Sequence, residues 1–269
     1  MIKTNYHTHT YYCDGKDSPE DMIISAIEKG FEILGFSGHS PLLDTDWGMN
    51  GDNLQRYCED LNVLKEKYKD KIEILCGIEH DYYSSNSTKG FDYIIGSVHC
   101  LKTQDGYLPL DDSAEILKDG INRYFDGNSL KLAQVYYDTI SDVVNKTGCQ
   151  IVGHFDLITK FDELSPIFDT QNHQYLTYAK TAIKKLSESN VLFEINTGAM
   201  TRGLRTTPYP QKELLIFIRE CGCDVIINSD CHDRNFLDFG FDKALQLVRE
   251  CGFERIAYLS KGKIQYTAI

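Results

Sequence analysis

No stretch of this 269-residue chain is long and apolar enough to span a bilayer. The first residues lack a basic segment leading into an apolar core, so no signal peptide is expected. No short repeat recurs, and no tract rich in Pro, Gly or Ser divides the chain, so one domain over residues 1–269 is expected. Positive charge is scarce: 28 Lys and Arg stand against 40 Asp and Glu, a formal net charge of −12. A protein that tracks a nucleic-acid backbone needs a basic face, and none is visible. Neither nucleic acid nor membrane is therefore an expected partner. The Cys-x5-Arg signature of thiol phosphatases is missing. The nine cysteines are odd in number and scattered, which suits reduced thiols and a cytoplasmic location. Cys221 and Cys223 form a C-x-C, but no second pair has zinc-finger spacing, and packing is the better reading.

What is present is an alternation of apolar runs and amphipathic segments in a chain that is 42% hydrophobic. Strand candidates are IKTNYHT, ILGFSGHS, IEILCGIEHD, DYIIGSVHCL, QIVGHFDL, VLFEINTG and DVIINSDCH, with a last one, RIAYLSKG, running into KIQYTAI. Between them lie helical patterns. SPEDMIISAIEKG has a Ser N-cap, Pro at the first helical position, acids in the first turn and Gly past the end. NLQRYCEDLNVLKEKYKDK, LAQVYYDTISDVVNKTG, YLTYAKTAIKKLSESN, KELLIFIRECG and FDKALQLVRECG carry apolar faces at helical spacing. Such alternation implies parallel strands joined by right-handed crossovers. About seven units in one chain favour a closed barrel over an open sheet.

The polar residues sit at the ends of those strands. His7 and His9 end the first and His39 the second. Glu79 ends the third, His99 the fourth, His154 the fifth and Asn196 the sixth, and Asp230 and His232 end the seventh. Residues two apart on a strand face the same side. In a β/α barrel the C-terminal strand ends form one mouth, so these side chains converge. Only His80 and His173 fall outside the set. A catalytic zinc takes about three protein ligands. The eight candidates His7, His9, His39, Glu79, His99, His154, Asp230 and His232 therefore suit two or three divalent ions. Glu79, in the middle of the set, is the best bridge, because a carboxylate can serve two ions. Water shared by paired ions about 3.5–4 Å apart becomes hydroxide near neutral pH. Three such ions, two carboxylates and a hydroxide leave a charge of roughly +3, which reverses the acidic background and suits a phosphate ester.

YHTHT, GFSGHS, GIEHD, GSVH, GHFDLI and INSDCH together resemble the motifs of the PHP family, named for polymerases and histidinol phosphatases. The resemblance covers nearly the whole chain. It is closest to the stand-alone histidinol-phosphate phosphatases of bacterial histidine biosynthesis, above all in GHFDLITKF and EINTG…RGLRTTPYP. It implies a distorted (β/α)7 barrel of the TIM type, with a trinuclear centre of zinc, manganese or iron. One ion would take His7, His9, Glu79 and Asp230, a second Glu79, His99 and His154, and a third His39 and His232. Many members add another His shortly after the H-x-H. This chain has Cys13, Asp14 and Gly15 there, and Asp14 is the better substitute. The implied reaction is hydrolysis of L-histidinol phosphate to L-histidinol and phosphate by a monomer or small homo-oligomer. Asp230 or His232 would protonate the leaving oxygen.

Arg202 and Arg205, in the loop after the sixth strand, are candidates to grip phosphate, with Lys160 and Asp156 behind them. Trp47, Asp81 and Asp112 suit an ammonium and an imidazole, and the polar, aromatic segment 101–128 is placed to cover the mouth. Three other readings compete: a nuclease or polymerase-associated module, an amidohydrolase, and a metal-binding protein without activity. The acidic balance opposes the first. Glu79 on the third strand opposes the second, and the complete ligand set opposes the third.

Overall fold

The computed structural model describes residues 2–42 and 45–269. Seven parallel strands lie in the order β1 (Thr4–Asn5), β2 (Ile33–Phe36), β3 (Glu73–Asp81), β4 (Tyr93–Ser97), β7 (Ile151–Val152), β8 (Leu192–Asn196) and β9 (Val225–Asn228). Between β4 and β7 the chain inserts an antiparallel hairpin, β5 (Cys100–Thr103) and β6 (Gly106–Pro109). The flanking helices are α1 (Pro19–Glu28), α2 (Asn53–Tyr68), α3 (Ala114–Tyr124), α4 (Ser129–Ile140), α5 (Val143–Thr147), α6 (His173–Ser187), α7 (Gly198–Thr201), α8 (Lys212–Glu220) and α9 (Phe241–Glu250).

The helix signals act as read. The Ser18 hydroxyl accepts the Asp21 N–H at 3.0 Å, Pro19 opens α1, and Gly30 follows its end at a φ of 75°. Outward-facing strand residues such as Leu34, Phe36, Ile78, Val152, Phe193 and Ile227 pack against Met22, Tyr57, Leu61, Tyr136, Tyr175 and Val248 of the helices. Each fully buried aliphatic side chain there contributes about 1.5–3 kcal/mol.

The inward face changes character along the strands. Near their starts it is apolar: Tyr6, Ile33, Leu75, Tyr93, Ile151, Leu192 and Ile226 form one cluster. Tyr93 lies across the interior, and its hydroxyl donates to the carbonyls of Tyr6 and Phe36. A Cβ at Gly35 or Gly77 would come within 2.5 Å of the Tyr93 side chain, so both glycines make room for it. Further along, at the pleat's two-residue step, the same face presents Glu79, Ser97, Glu194, Asn196 and Asn228, all buried. The apolar layer is thus the floor on which the polar mouth is built.

The barrel closes without a regular ladder between β9 and β1 among the described residues. One bridge joins Thr8 to Cys231, with the His9 N–H donating to the Cys231 carbonyl at 3.0 Å. Side chains complete the seam: Asn228 Oδ1 accepts the Tyr6 N–H at 2.9 Å, and Asn5 Oδ1 accepts the N–H groups of His7 and Ser229. This is the distorted seven-stranded barrel expected.

Two details differ from the expectation. The last strand candidate is an antiparallel hairpin outside the barrel, β10 (Arg255–Ser260) with β11 (Lys263–Ala268). Ala257 and Leu259 join the inner apolar cluster, and the Tyr6 hydroxyl exchanges hydrogen bonds with the backbone of Leu259. The pattern over 132–148 is two helices, broken where the Ser141 hydroxyl turns back to the Asp138 carbonyl at 2.6 Å. Segment 101–128 is ordered, as the β5–β6 hairpin and α3. All nine cysteines are free, and Cys221 and Cys223 pack against the core. No described helix is long and apolar enough to cross a membrane.

Candidate metal centre and active site

Six histidines and three carboxylates meet at the C-terminal mouth. Glu79, 1% exposed, stands in the middle, and its two oxygens face different partners. Oε1 lies 2.9 Å from His154 Nε2 and 3.1 Å from His99 Nε2, and the Ser97 hydroxyl donates to it at 2.7 Å. Oε2 lies 2.9 Å from His39 Nδ1, 3.0 Å from His7 Nε2 and 3.6 Å from His9 Nε2. Asp230 Oδ1 stands 3.2 Å from His9 Nε2 and 3.6 Å from His7 Nε2. Asp14 Oδ2 is 3.1 Å from His232 Nε2, while its Oδ1 is 3.5 Å from His39 Nε2.

The donor set suits divalent ions. His7 Nε2, His9 Nε2, His39 Nδ1 and Glu79 Oε2 are buried and make no hydrogen bond, although they crowd together. Unpaired buried polar atoms are costly and rare, and lone pairs converging on one region are what a cation needs. Ligand atoms lie within 4.8 Å of one another in four groups: His7, His9 and Asp230; His7, Glu79 and His154; His39, Glu79 and His99; and His9, Asp14, His39 and His232.

Two further carboxylates turn the rings. A carboxylate only accepts, so Glu194 Oε1, 2.7 Å from His7 Nδ1, fixes the proton there and leaves Nε2 free to face Glu79 and Asp230. Asp81 Oδ2, 3.2 Å from His99 Nδ1, does the same for His99. Glu194 carries no ligand spacing in the sequence, where FEIN reads as an ordinary buried strand. A lone Glu in such a run is itself the missing signal, since an unpaired charge would not be tolerated there.

The electrostatics follow from this crowding. Burial opposes charge on His7, but Glu194 and Glu79 outweigh it and hold its pKa well above the usual range. Burial likewise opposes charge on Glu79, and His7, His99 and His39 hold its carboxyl far below the usual range. His9 goes the other way: burial, helped by His232 and His39, pushes it down to about 3. Positive charge is therefore favoured between the carboxylates, while the His9 ring stays neutral.

Asp230 adopts a φ of 48°, a conformation Asp tolerates better than most residues. Gly198 lets it do so, because a Cβ there would lie 2.8 Å from Asp230 Oδ2. The Asn196 amide donates to the same oxygen at 3.3 Å.

Above the cluster opens a cavity of about 630 Å³. His39, His99, His154, Asp230, His232 and Asp14 form one end. Arg202 lines it, with Nη2 3.1 Å from His232 Nδ1. Lys160 lines it too and donates to Asp111 Oδ2 at 2.9 Å. Burial opposes charge on Asp111, but Lys160 and His99 hold it down at about 2. Trp47, edge-on to His39 at 4.8 Å, Asp112, and Asp105 and Tyr107 of the hairpin complete the walls. Segment 101–128 thus does cover part of the mouth.

Three expected substrate residues are corrected. Arg205 does not line the cavity: its Nη1 donates to Thr159, and its guanidinium stacks 4.4 Å over the Tyr209 ring. Asp156 is buried behind the wall, where Oδ2 accepts the Gln211 N–H at 2.9 Å and burial raises its carboxyl. Asp81 faces no substrate space, because both oxygens hold backbone or ring N–H groups of Tyr83 and His99. His80 bonds backbone carbonyls, and His173 opens α6, both outside the cluster.

Fold and site define a β/α barrel built to hold divalent ions at its mouth. The chain belongs to the PHP family: the PHP domain model matches residues 5–198. It is 26% identical to a probable histidinol-phosphatase of Schizosaccharomyces pombe, over 97% of this chain and 90% of that protein. It is also 26% identical to a histidinol-phosphatase of Bacillus subtilis, covering 91% of this chain and 99% of the relative. A crystal structure of the Lactococcus lactis histidinol phosphate phosphatase, complexed with zinc, L-histidinol and phosphate, shares the fold. Its TM-score is 0.76 at 22% identity, with 98% of each chain covered.

Proposed function

We propose that this protein is a metal-dependent phosphomonoesterase that hydrolyses L-histidinol phosphate to L-histidinol and phosphate. The observation that carries the reading is Glu79, whose two oxygens face two separate sets of imidazoles among the histidines that line one end of the cavity. The full-length similarity to proteins named histidinol-phosphatases supports the substrate.

Two to three divalent ions of the zinc, manganese or iron type fit the donors. His7, His9, Asp230 and Glu79 Oε2 would hold one, and Glu79 Oε1, His99 and His154 a second. His39, His232 and Asp14 would hold a third, the carboxylate standing where the family resemblance implies a histidine. When bound, the ions supply an acidified water and positive charge facing the phosphate oxygens.

The rest falls to the chain. Arg202 and Lys160 steady the phosphate from the wall with charge-assisted hydrogen bonds. His232 delivers a proton to the departing alcohol oxygen. Burial opposes charge on Asp230, but His7, His9 and His232 hold its carboxyl well below the usual range, so it stays ionised. The outer walls suit a cationic leaving group: Asp112 offers a carboxylate to the ammonium, and Trp47 and Tyr107 offer aromatic faces to the imidazole.

Phosphate release by the purified protein from L-histidinol phosphate and from p-nitrophenyl phosphate, side by side, tests the reading. A kcat/KM at least about tenfold higher for L-histidinol phosphate is expected, since each charge-assisted contact to the leaving group is worth about 1.5–3 kcal/mol. Equal values would remove the substrate assignment.

A further inference from the structure

Glu194 lies below the residues that face the cavity and does not line it, yet it is fully buried and receives four hydrogen bonds. Oε1 accepts from His7 Nδ1 at 2.7 Å and from Asn228 Nδ2 at 2.9 Å. Oε2 accepts from the His154 N–H at 2.9 Å and from Asn196 Nδ2 at 2.8 Å. The donors come from the ends of β1, β7, β8 and β9. They straddle the seam that lacks a backbone ladder, and Asn228 also accepts the Tyr6 N–H there.

We infer that Glu194 is a positioning residue that sets metal affinity. It locks His7 in the Nδ1–H form with Nε2 toward Glu79 and Asp230, and it ties the His7 and His154 strand ends together across the open seam. This rests on the reading that the mouth holds divalent ions. The physical case has three parts. A metal-ligating histidine needs its other nitrogen anchored, and a carboxylate anchor also makes the ring a stronger donor. Four donors on one carboxylate leave it no other orientation. Across the β1–β9 seam, among the described residues, only the Thr8–Cys231 bridge pairs backbone, so the approach of His7 to Asp230 is shared between that bridge, Asn5 and this anchor with its asparagines. Glutamine at 194 keeps the shape but brings an NH2 group against N–H donors, so at least one contact turns repulsive.

Zinc retention tests this without substrate. Wild type and Glu194→Gln are loaded with zinc and equilibrated against a chelator of known affinity, and bound zinc is measured. Glu213→Gln, whose carboxylate pairs with Lys180 outside the cluster, is the control. Glu194→Gln should hold zinc about 10- to 100-fold more weakly, as expected for loss of such an anchor. Its kcat on L-histidinol phosphate should fall and recover with excess zinc, with KM within about twofold of wild type. Wild-type zinc affinity in Glu194→Gln, even with a lower melting temperature, would reduce Glu194 to packing and overturn the inference. If the variant does not fold, the ring tautomer in the zinc-loaded wild type decides, read by 1H–15N correlation on histidine-labelled protein. A protected Nδ1–H on His7 is required, and a His7 protonated at Nε2 would overturn the proposal. A phosphatase of different specificity would leave both readouts unchanged, so this inference and the substrate assignment fail separately.

Discussion

His7 Nε2 lies 3.0 Å from Glu79 Oε2, both fully buried, and neither makes a hydrogen bond. A buried imidazole nitrogen and carboxylate oxygen this close, neither hydrogen-bonded, are placed to share one cation. Glu79→Gln tests that relationship. An amide is a poor bridge between cations, so the variant should fold, bind less metal and lose at least about a hundredfold in kcat, the scale of a lost electrostatic stabiliser. His173→Asn, outside the cluster, should match wild type. Steady-state kinetics with metal analysis compares the two.

The candidate ligand set was legible because the pleat translates sequence spacing into position. Glu79, His99 and Asp230 each fall on the inward face of a strand already recognisable from its apolar run, and the barrel supplies convergence. Glu194 obeys the same rule but sits one step lower, where the spacing carries no sign of a partner. Arg202 and Arg205 show another limit. They are three residues apart in one loop, and only the fold decides that Arg205 turns back onto Tyr209 while Arg202 faces the cavity. The β5–β6 hairpin was hidden for a related reason: CLKT and GYLP mix polar and exposed positions and carry no sustained apolar run.

That difference predicts opposite phenotypes. Arg202→Ala should lower kcat/KM about ten- to a hundredfold for L-histidinol phosphate and p-nitrophenyl phosphate alike, because its partner is the shared phosphate. Arg205→Ala should leave kinetics near wild type and lower the melting temperature, since it strips a buried hydrogen-bonded cation from Thr159 and Tyr209. A kinetic defect confined to Arg205→Ala would reverse the two roles.

Gly198→Ala should act on chemistry at a distance of one residue contact. The added methyl meets Asp230 at less than 3 Å, so Asp230 must shift. Reduced metal content and a kcat lower by about tenfold or more are expected, a typical cost of misplaced catalytic groups. Wild-type turnover would mean that the position of Asp230 is not critical.

Asp162 gives a pH signature away from the cluster. Burial raises its carboxyl to about 6, against hydrogen bonds from the N–H groups of Ile167 and Phe168 that lower it. The folded value exceeds the unfolded one of about 3.9. Its contribution to stability is therefore full below pH about 4 and is lost as pH rises through about 6. Asp162→Asn cannot ionise. The melting temperature of the variant minus that of wild type should grow between those values, and a flat difference would contradict the assignment.

The most direct test of the account is a metal titration of turnover. Protein stripped by chelator and dialysed should release no phosphate from L-histidinol phosphate. Adding back zinc, manganese or iron should restore the rate, with a break between two and three equivalents per chain, as the donor set suggests. Full activity in the stripped protein, or saturation below one equivalent, would contradict a Glu79-bridged metal centre as the catalytic device.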